Sequence, residues 1–466
     1  MKNDLPVAGK SLLGFFSLFS VAVGLIIAQS GMVPMLQTAA ITGSGYVLAL
    51  GCAYLLGLTC VLSFSELALM FPRSGGLATY TEAAIGNYPA IIATFSAYVI
   101  PPMLGIAAEI FLLDTVLSQL FPGFAPPLVI GYATLFTFAV LNYLGIDAFA
   151  RIQNTIVVVM LLAITFLAAS AFSTAGAAGV PAANDLGSFN PMGMGVFSMV
   201  ALAIWCMVGA EFTCPLVEQA RNPKRDIPWA MLIGLTTIFI LYLLLGYGAL
   251  MLVPAEQLAS SATPHLLFAS AVFGDGGKAL LAAIAVTATA STVNSVMAAV
   301  PHMLLGMARN RQVFPQFSKL SRHGSPWVGI VFMVLLISVP LALMTTNVDT
   351  IMVLLISASV SWFLAYIIAH VDVIVLRTRH PELRRPFVSP FYPWPQVLGI
   401  AGFTYIAMNC SPSPEMTGQV YGVAGGLLLV VAVIGALWVR LYMKEPLFRS
   451  SLSKSIPYAV TPASAE

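Results

Sequence analysis

Two glutamates inside long apolar stretches are the residues of this sequence best placed to carry chemistry. Glu109 lies in one such stretch, and Glu211 lies in another, between residues 197 and 228, which also contains Trp205 and Gly209. A carboxylate at membrane depth is costly and is usually functional. A neighbouring glycine lets the backbone leave helical geometry, and irregular backbone at that depth occurs where it lines a cavity. The pattern predicts a broken helix at a functional cavity; the alternative is a kinked structural helix with a hydrogen-bonded glutamate.

The composition is that of a membrane protein. Of the 466 residues, 59% are hydrophobic and only 8% are charged, whereas soluble domains carry about 25% charged residues. A net charge of +2 without a basic arm predicts a lipid bilayer as a partner and no nucleic acid. Five cysteines without a CxxC motif indicate neither a metal site nor a disulfide framework. Hydrolase, metalloprotease and phosphate-loop motifs are absent, so we expect neither an enzyme nor an organic cofactor.

Twelve apolar stretches predict an all-α membrane protein with twelve transmembrane helices. With the N-terminus inside, Lys278 is the only one of the 20 Lys and Arg residues that falls in an outer loop. This distribution predicts that both termini are cytoplasmic, in a bacterial-type inner membrane. The predicted spans lie near residues 11–36, 45–70, 88–120, 126–145, 152–173, 191–219, 228–252, 277–307, 327–345, 349–376, 395–411 and 418–442.

Two of these spans are interrupted at corresponding positions. The first is interrupted at Ala28–Gly31 and the sixth at Trp205–Gly209. Because the interruptions lie five spans apart, a second copy of the unit would be inverted, and matching broken helices in inverted halves mark the central site of many transporters. The predicted organisation is a 5+5 inverted repeat, with the first repeat at 1–173, the second at 191–376, two further spans at 395–443 and a cytoplasmic tail at 444–466.

Three groups of residues carry a resemblance to a known family. They are Glu66-Leu67 with Phe71-Pro72-Arg73-Ser74-Gly75-Gly76, Gly209 and Glu211 with Asn222-Pro223-Lys224-Arg225-Asp226-Ile227-Pro228, and Met307-Ala308-Arg309 with Phe314-Pro315 and Gly324-Ser325-Pro326. Over residues 15–376 the sequence resembles the amino acid–polyamine–organocation transporters. The resemblance implies a fold with spans 1 and 6 unwound at mid-membrane, and alternating access to a small amine-bearing substrate.

The resemblance also implies roles for residues around the centre. In the arginine/agmatine antiporters of this family the sixth span has a Trp six residues before the Glu, which implies that Trp205 lies against the substrate and that Glu211 takes part in gating. Tyr98 falls on a pocket-lining position. Ile106 falls on a polar position and Met297 on an aromatic one, and both differences disfavour arginine itself as the substrate.

The substrate class depends on Glu109 and on the first span. Family members that bind amino acids usually have Gly-Ser-Gly there, whose N–H groups bind the substrate carboxylate, but this chain has Gln29-Ser30-Gly31. Glu109 would pair with a substrate ammonium group; the alternative is a proton-carrying or helix-bonded glutamate without substrate contact. We therefore expect an organic amine or polyamine, or an amino acid. The predicted substrate-binding residues are Ala28, Gln29, Ser30, Gly31, Tyr98, Glu109, Trp205, Cys206, Gly209, Met297 and Ser357.

Coupling has two candidate mechanisms in the sequence. Glu211 is either a proton-binding group or a fixed strut between spans. Sodium coupling in this fold uses carbonyl groups of span 1 with hydroxyls of span 8, which Thr289, Ser291, Thr292 and Ser295 could supply, although buried hydroxyls commonly bond their own helix. The fifth-span Lys that replaces sodium in some proton-coupled relatives is absent.

Glu218, at the cytoplasmic end of span 6, is predicted to act in gating by holding the loop Arg221–Arg225. The function predicted from all these features is a secondary active transporter, coupled to protons or working by exchange. The alternatives are a cation channel or a substrate-sensing membrane protein on the same fold. The sequence carries no signal for oligomeric state.

Overall fold

A computed structural model describes residues 13–176, 184, 196, 199–344, 348–411 and 413–450. Within these residues the regular structure is helical, apart from an isolated parallel bridge between Leu13 and Ala220. In chain order the α-helices are α1 (Phe15–Ile26), α2 (Gln29–Thr42), α3 (Tyr46–Met70), α4 (Leu77–Ala84), α5 (Asn87–Tyr98), α6 (Ile100–Leu120), α7 (Val129–Tyr143), α8 (Ile146–Ala175), α9 (Val200–Trp205), α10 (Pro223–Leu252), α11 (Ala255–Ser260), α12 (Pro264–Phe273), α13 (Lys278–Arg309), α14 (Trp327–Leu343), α15 (Val348–Arg379), α16 (Trp394–Met408) and α17 (Pro414–Leu437).

The all-helical class predicted from the sequence is confirmed. At least one helix lies over each of the twelve predicted stretches, although most of residues 191–198, where the sixth begins, and residues 451–466 of the tail lie outside the described residues. Eight helical segments in the described chain are long and apolar enough to cross a membrane. Three helices lie outside the predicted spans, namely α4, α11 and α12.

The first predicted span consists of two helices, α1 and α2, separated by the extended residues Ile27 and Ala28. The sequence placed the interruption at Ala28–Gly31, but Gln29 and Ser30 already belong to the first turn of α2. The helix begins this early because a side chain from another helix binds the N–H groups of its first two residues, as described below.

The sixth predicted span is interrupted as expected. Helix α9 ends at Trp205, and a 3-10 helix, Ala210–Gln219, follows Gly209. Gly209 has a φ of 117°, which glycine adopts without steric cost. A Cβ atom at this position would lie 2.6 Å from Leu25 Cδ2 of α1. The two broken helices therefore pack tightly against each other where they lose regular geometry.

The broken helices occupy the centre of the fold. Helix α1 packs against α8, α10 and α13, and every residue of α2 from Gln29 to Ala39 is buried. By contrast, α17 exposes large apolar side chains such as Leu429 and Val433, as a helix facing lipid does. Protein therefore surrounds the irregular backbone on all sides, which is the condition for such backbone at membrane depth.

Gly209→Ala should destabilise the protein, because it combines a positive φ with a Cβ that collides with Leu25. The expected cost is about 1–3 kcal/mol, seen as a lower Tm in thermal unfolding of the detergent-solubilised protein. Gly425→Ala on α17 is the control, since its Cβ would meet no atom within 4 Å. We expect its Tm to be unchanged or slightly raised. Equal Tm values for the two variants would contradict this account of the break.

Candidate functional site

A small cavity lies between the two broken helices. Its volume is about 30 Å³, the space of about one water molecule, so its walls are almost in contact. No lining side chain is acidic or basic. The lining residues are Leu25 and Ile26 at the end of α1, Ser30 of α2, Pro101, Pro102, Gly105 and Ile106 of α6, Trp205, Val208 and Phe212 around the second break, Thr292 and Val296 of α13, and Trp362 of α15.

Aromatic rings form one side of this cavity. The rings of Trp205 and Trp362 meet edge to face with centroids 5.9 Å apart, and Phe212 lies 5.7 Å from Trp362. Gly105 makes room for the indole of Trp205, because a Cβ there would lie 2.6 Å from its Cη2 atom. The prediction that Trp205 lines a central pocket therefore agrees with where the structure places it.

Glu109 binds the start of α2 and does not line the cavity. Its Oε1 atom accepts hydrogen bonds from Gln29 N at 3.0 Å and from Thr289 Oγ1 at 2.7 Å, and its Oε2 accepts from Ser30 N at 2.7 Å. The side chain is completely buried. All three partners are donors, which suits a deprotonated carboxylate. This geometry matches the helix-bonded alternative for Glu109 and differs from a direct substrate contact.

The network around Glu109 continues towards α12. The Gln29 amide donates to Thr289 Oγ1 at 2.7 Å, so the Thr289 hydroxyl must direct its own hydrogen to Glu109. The amide oxygen of Gln29 lies 3.3 Å from His265 Nε2. His265 is buried, and its Nδ1 atom has no partner among the described residues. The loop between spans 7 and 8 thus reaches the first break through one buried histidine.

Glu211 has the corresponding role at the second break. Its Oε1 accepts hydrogen bonds from Trp362 Nε1 at 3.0 Å and Tyr366 OH at 2.7 Å, and its Oε2 accepts from Gly209 N at 3.1 Å. Trp362 also forms a wall of the cavity. A change in the charge or position of Glu211 would therefore act directly on that wall.

Hydrogen bonds also join the first break to its neighbours. The Cys206 thiol donates to the carbonyl group of Gly31 at 3.1 Å, which links the two breaks to each other. The hydroxyl of Thr292 donates to the carbonyl group of Gly24 at 3.1 Å. Gly31 must be glycine for packing reasons, because a Cβ there would lie 2.6 Å from the Tyr242 hydroxyl.

Two of the predicted sodium ligands of span 8, Ser291 and Ser295, lie around a side-chain amide, whereas Thr292 donates to carbonyl groups of α1 and α13. Gln153 Nε2, from α8, lies 2.7 Å from Ser291 Oγ, 3.0 Å from Ser295 Oγ and 3.0 Å from the carbonyl oxygen of Ser20. The carbonyl and hydroxyl oxygens expected for a sodium site are therefore close together, but the amide group already occupies the space between them.

Glu218 joins three parts of the chain near the end of the sixth span. Its Oε1 accepts a hydrogen bond from Ser74 N at 2.9 Å, and its Oε2 lies 3.9 Å from Arg309 Nη1. The sequence had suggested the Arg221–Arg225 loop as its partner. The structure instead connects Glu218 to the loop after α3 and to the last residue of α13.

Ser30 and Trp205 line the cavity, and the other nine predicted substrate residues do not. Ala28, Gln29, Gly31, Cys206 and Gly209 lie at the two breaks, and Glu109 is bonded to the first break. Tyr98 stacks behind the cavity wall, 4.8 Å from the ring of Phe212, and its hydroxyl has no partner among the described residues. Met297 is buried in α13 and does not reach the cavity. Ser357 donates to the Val353 carbonyl at 2.6 Å and lies 3.4 Å from the carbonyl oxygen of Val420 on α17.

Sequence reasoning missed several residues of the site. Trp362 and Tyr366 are four positions apart on α15, so they share a helix face. Both have polar tips that need partners when buried, which is a signal that could have been used. Gln153, an amide in an apolar span, is a similar signal. Nothing in the sequence pointed to His265, because its role depends on how α12 docks.

Two broken helices around a central cavity, surrounded by apolar helices, are the arrangement found in membrane transport proteins. A family model described as amino acid permease matches residues 13–443. The chain belongs to this amino acid permease family, within the amino acid–polyamine–organocation superfamily that its motifs indicated. Since the family's members are transporters, the prediction that the chain is not an enzyme is confirmed.

Named relatives transport different amine-bearing compounds. The chain is similar to the branched-chain amino acid permease BcaP of Bacillus subtilis, with 26% identity over 86% of this chain and 88% of the relative. It is also similar to the serine/threonine exchanger SteT of the same species, with 25% identity over 82% and 84%. The cadaverine/lysine antiporter of Escherichia coli is 24% identical over 58% of this chain and 60% of its own length.

Solved structures share the fold at low sequence identity. A manganese transporter of Eremococcus coleocola has a TM-score of 0.59 and 13% identity, covering 94% of this chain and 97% of its own. A nucleobase-cation-symport-1 family transporter, in a closed conformation with bromovinylhydantoin bound, has a TM-score of 0.58 and 15% identity, covering 95% and 96%.

His265 should make stability fall in acid. Burial lowers the pKa of His265 to about 4 from 6.5, so the unfolded chain binds this proton more readily than the folded protein does. The stabilising effect of the neutral imidazole is fully present above pH 6.5 and is lost as the pH falls towards 4. Tm measured across this range should drop less steeply in His265→Gln than in the wild type. The exposed residue His323, changed to Gln, is the control; identical slopes for all three proteins would contradict the assignment.

Proposed function

We propose that this protein is a secondary active transporter that moves an amino acid or a small organic amine across the cytoplasmic membrane by alternating access. The observation that carries the proposal is the cavity enclosed by both broken helices, with Leu25, Ile26 and Ser30 on one side and Trp205 and Val208 on the other. Family membership supports a transported substrate, and the named relatives support amino acids and amines as its class.

The proposed architecture is twelve spans with cytoplasmic termini, built from a 5+5 inverted repeat and two additional spans. Helices over all twelve apolar stretches support the count. Interruptions at Ile27–Ala28 and at Cys206–Gly209, five spans apart, support the inversion. In this arrangement the repeats run from 1 to 173 and from 191 to 376.

In the described conformation the cavity is too small to hold an amino acid or an organic amine. A cavity of about 30 Å³ is far smaller than the several hundred Å³ of a typical small-molecule site. Transport therefore requires the walls to separate. The edge-to-face contact between Trp205 and Trp362 is one closure, and the bridge from Glu218 to Ser74 and Arg309 is a second. Alternating access would open one closure while the other stays shut.

Coupling to protons or exchange fits the site better than coupling to sodium. The side-chain amide of Gln153 lies within hydrogen-bond distance of Ser291 and Ser295. Its N–H groups point at the hydroxyl oxygens that a cation would need as ligands. Glu211 is the proposed proton acceptor, because it is buried and bonded to a cavity wall through Trp362. Movement of a proton to Glu211 would weaken that bond and loosen the wall.

Uptake should not depend on sodium. In proteoliposomes, replacing external sodium with potassium should leave the initial rate within about twofold, because a tenfold loss would need a contribution of about 1.4 kcal/mol from the ion. Leucine, serine, lysine and cadaverine form the first substrate panel. A strict sodium requirement would show that the Gln153 amide leaves the site during the cycle and would overturn this part of the proposal.

Gly105→Ala should impair transport without unfolding the protein. The new methyl group would push the Trp205 indole out of position, and a displacement of about 1 Å at a substrate-positioning residue costs up to about a hundredfold in rate. Uptake on the same panel and Tm should be measured together. The double variant Gly105→Ala with Trp205→Phe restores space and should recover part of the activity. Wild-type uptake in Gly105→Ala would show that the Trp205 wall is not part of the substrate site.

A further inference from the structure

The backbone N–H groups at the start of α2 are all occupied by groups of the protein itself. Gln29 and Ser30 donate to Glu109. The next two N–H groups, of Gly31 and Met32, donate to the Ala28 carbonyl at 3.0 and 2.9 Å. The Met32 bond is the first regular bond of the helix, and the donors that a helix N-terminus leaves without regular partners include those of residues 29–31. A substrate carboxylate would therefore find no free N–H group among residues 29–32.

At the second break a buried glutamate also accepts a hydrogen bond from the backbone. The N–H group of Gly209 donates to Glu211 at 3.1 Å. Glu211 is held there by Trp362 and Tyr366. Each break thus supplies its own carboxylate from a buried glutamate, one on α6 and one beside the break itself.

The sign of the local charge follows from this occupancy. A helix N-terminus carries about half a positive charge, whereas one ionised carboxylate carries a full negative charge, so Glu109 more than compensates the end of α2. Two helix C-termini face the cavity, with Leu25 and Ile26 at the end of α1 and Trp205 at the end of α9. Two N-termini also line it, but the N–H group of Ser30 is bound by Glu109, and Pro101 and Pro102 of α6 have no N–H group to donate. Helix C-termini carry partial negative charge and favour cations.

The side chains of the cavity suit the same kind of ligand. Trp205, Trp362 and Phe212 present aromatic rings, which attract an ammonium group through their π faces and pack against an apolar body. Two of the lining residues, Ser30 and Thr292, carry hydroxyl groups. Since no lining residue is acidic or basic, neither a carboxylate nor an ammonium group would meet a side-chain counter-ion here, but only the ammonium group gains from the aromatic rings.

We propose that the ligand of this cavity is an organic ammonium ion without a carboxylate group, and that Glu109 permanently occupies the position that a substrate carboxylate would need. The proposal rests on the proposed transport function and narrows its substrate class from amino acids or amines to amines with an apolar body. Glu109 is then a specificity-determining residue that acts through the N-terminus of α2, without touching the ligand.

The test compares matched pairs that differ only in the carboxylate: isoamylamine with leucine, phenethylamine with phenylalanine, and cadaverine with lysine. Binding to the purified full-length protein is measured by calorimetry, and uptake in proteoliposomes. The wild type should bind at least one amine about tenfold or more tightly than its matched amino acid. Glu109→Gln removes the internal charge, so this ratio should shrink by about tenfold or reverse.

Asp114→Asn is the matched control. Asp114 lies on the same helix, is buried, and accepts a hydrogen bond from Leu128 N at 2.9 Å, away from either break. Its variant should keep the wild-type ratio. If Glu109→Gln does not fold, Thr289→Val, which removes one of the three bonds that hold Glu109, should narrow the ratio in the same direction.

The outcomes separate the two proposals. The contrary outcome is that the wild type binds and takes up the amino acid of each pair better than the amine, with an amine-to-amino-acid ratio that Glu109→Gln leaves unchanged. That result would overturn the amine assignment while the transport function stands. Absence of binding and uptake for every compound of both classes would overturn the proposed function itself.

Discussion

The structure depends on satisfying backbone groups that two helix breaks expose inside the protein. An unpaired N–H group in a buried, low-dielectric setting costs about 1–3 kcal/mol, and each break exposes several. Two buried glutamates supply the acceptors: Glu109 binds Gln29 and Ser30, and Glu211 binds Gly209. Without these carboxylates the broken geometry would be hard to maintain, and without the breaks no cavity would exist at the centre.

The same two glutamates connect the cavity to more distant parts of the fold. Glu211 is bonded to Trp362, which is itself a cavity wall. Glu109 leads through Thr289 and Gln29 to His265 on α12. Because every member of these networks is buried, a change at one end requires its neighbours to find new partners. Such networks suit a protein that must alternate between a small number of closed arrangements rather than deform continuously.

Membership in the amino acid permease family defines the kind of protein but does not identify its substrate. The named relatives include both a permease for branched-chain amino acids and a cadaverine/lysine antiporter. The first break of this chain contains the pair Gln29 and Glu109. Gln29 uses its backbone N–H to bind Glu109 and its side chain to orient Thr289 towards the same carboxylate. Under the proposed amine specificity, substrate choice would depend on residues that do not line the cavity.

The sequence alone determined the features that follow from hydropathy and local backbone chemistry. Apolar length predicted the helices, and the interruptions expected at Ala28–Gly31 and Trp205–Gly209 lie within three residues of the observed breaks. Trp205 was expected at the central pocket, and the structure places it on the cavity wall. Tertiary structure decided which groups meet there. Whether Glu109 faces a ligand or a helix end, and whether Gln153 lies among the span 8 hydroxyls, depends on how helices far apart in the chain rotate against each other. A rotation of one position turns a side chain by about 100°, and periodicity in a helix that is apolar on all sides does not specify that rotation.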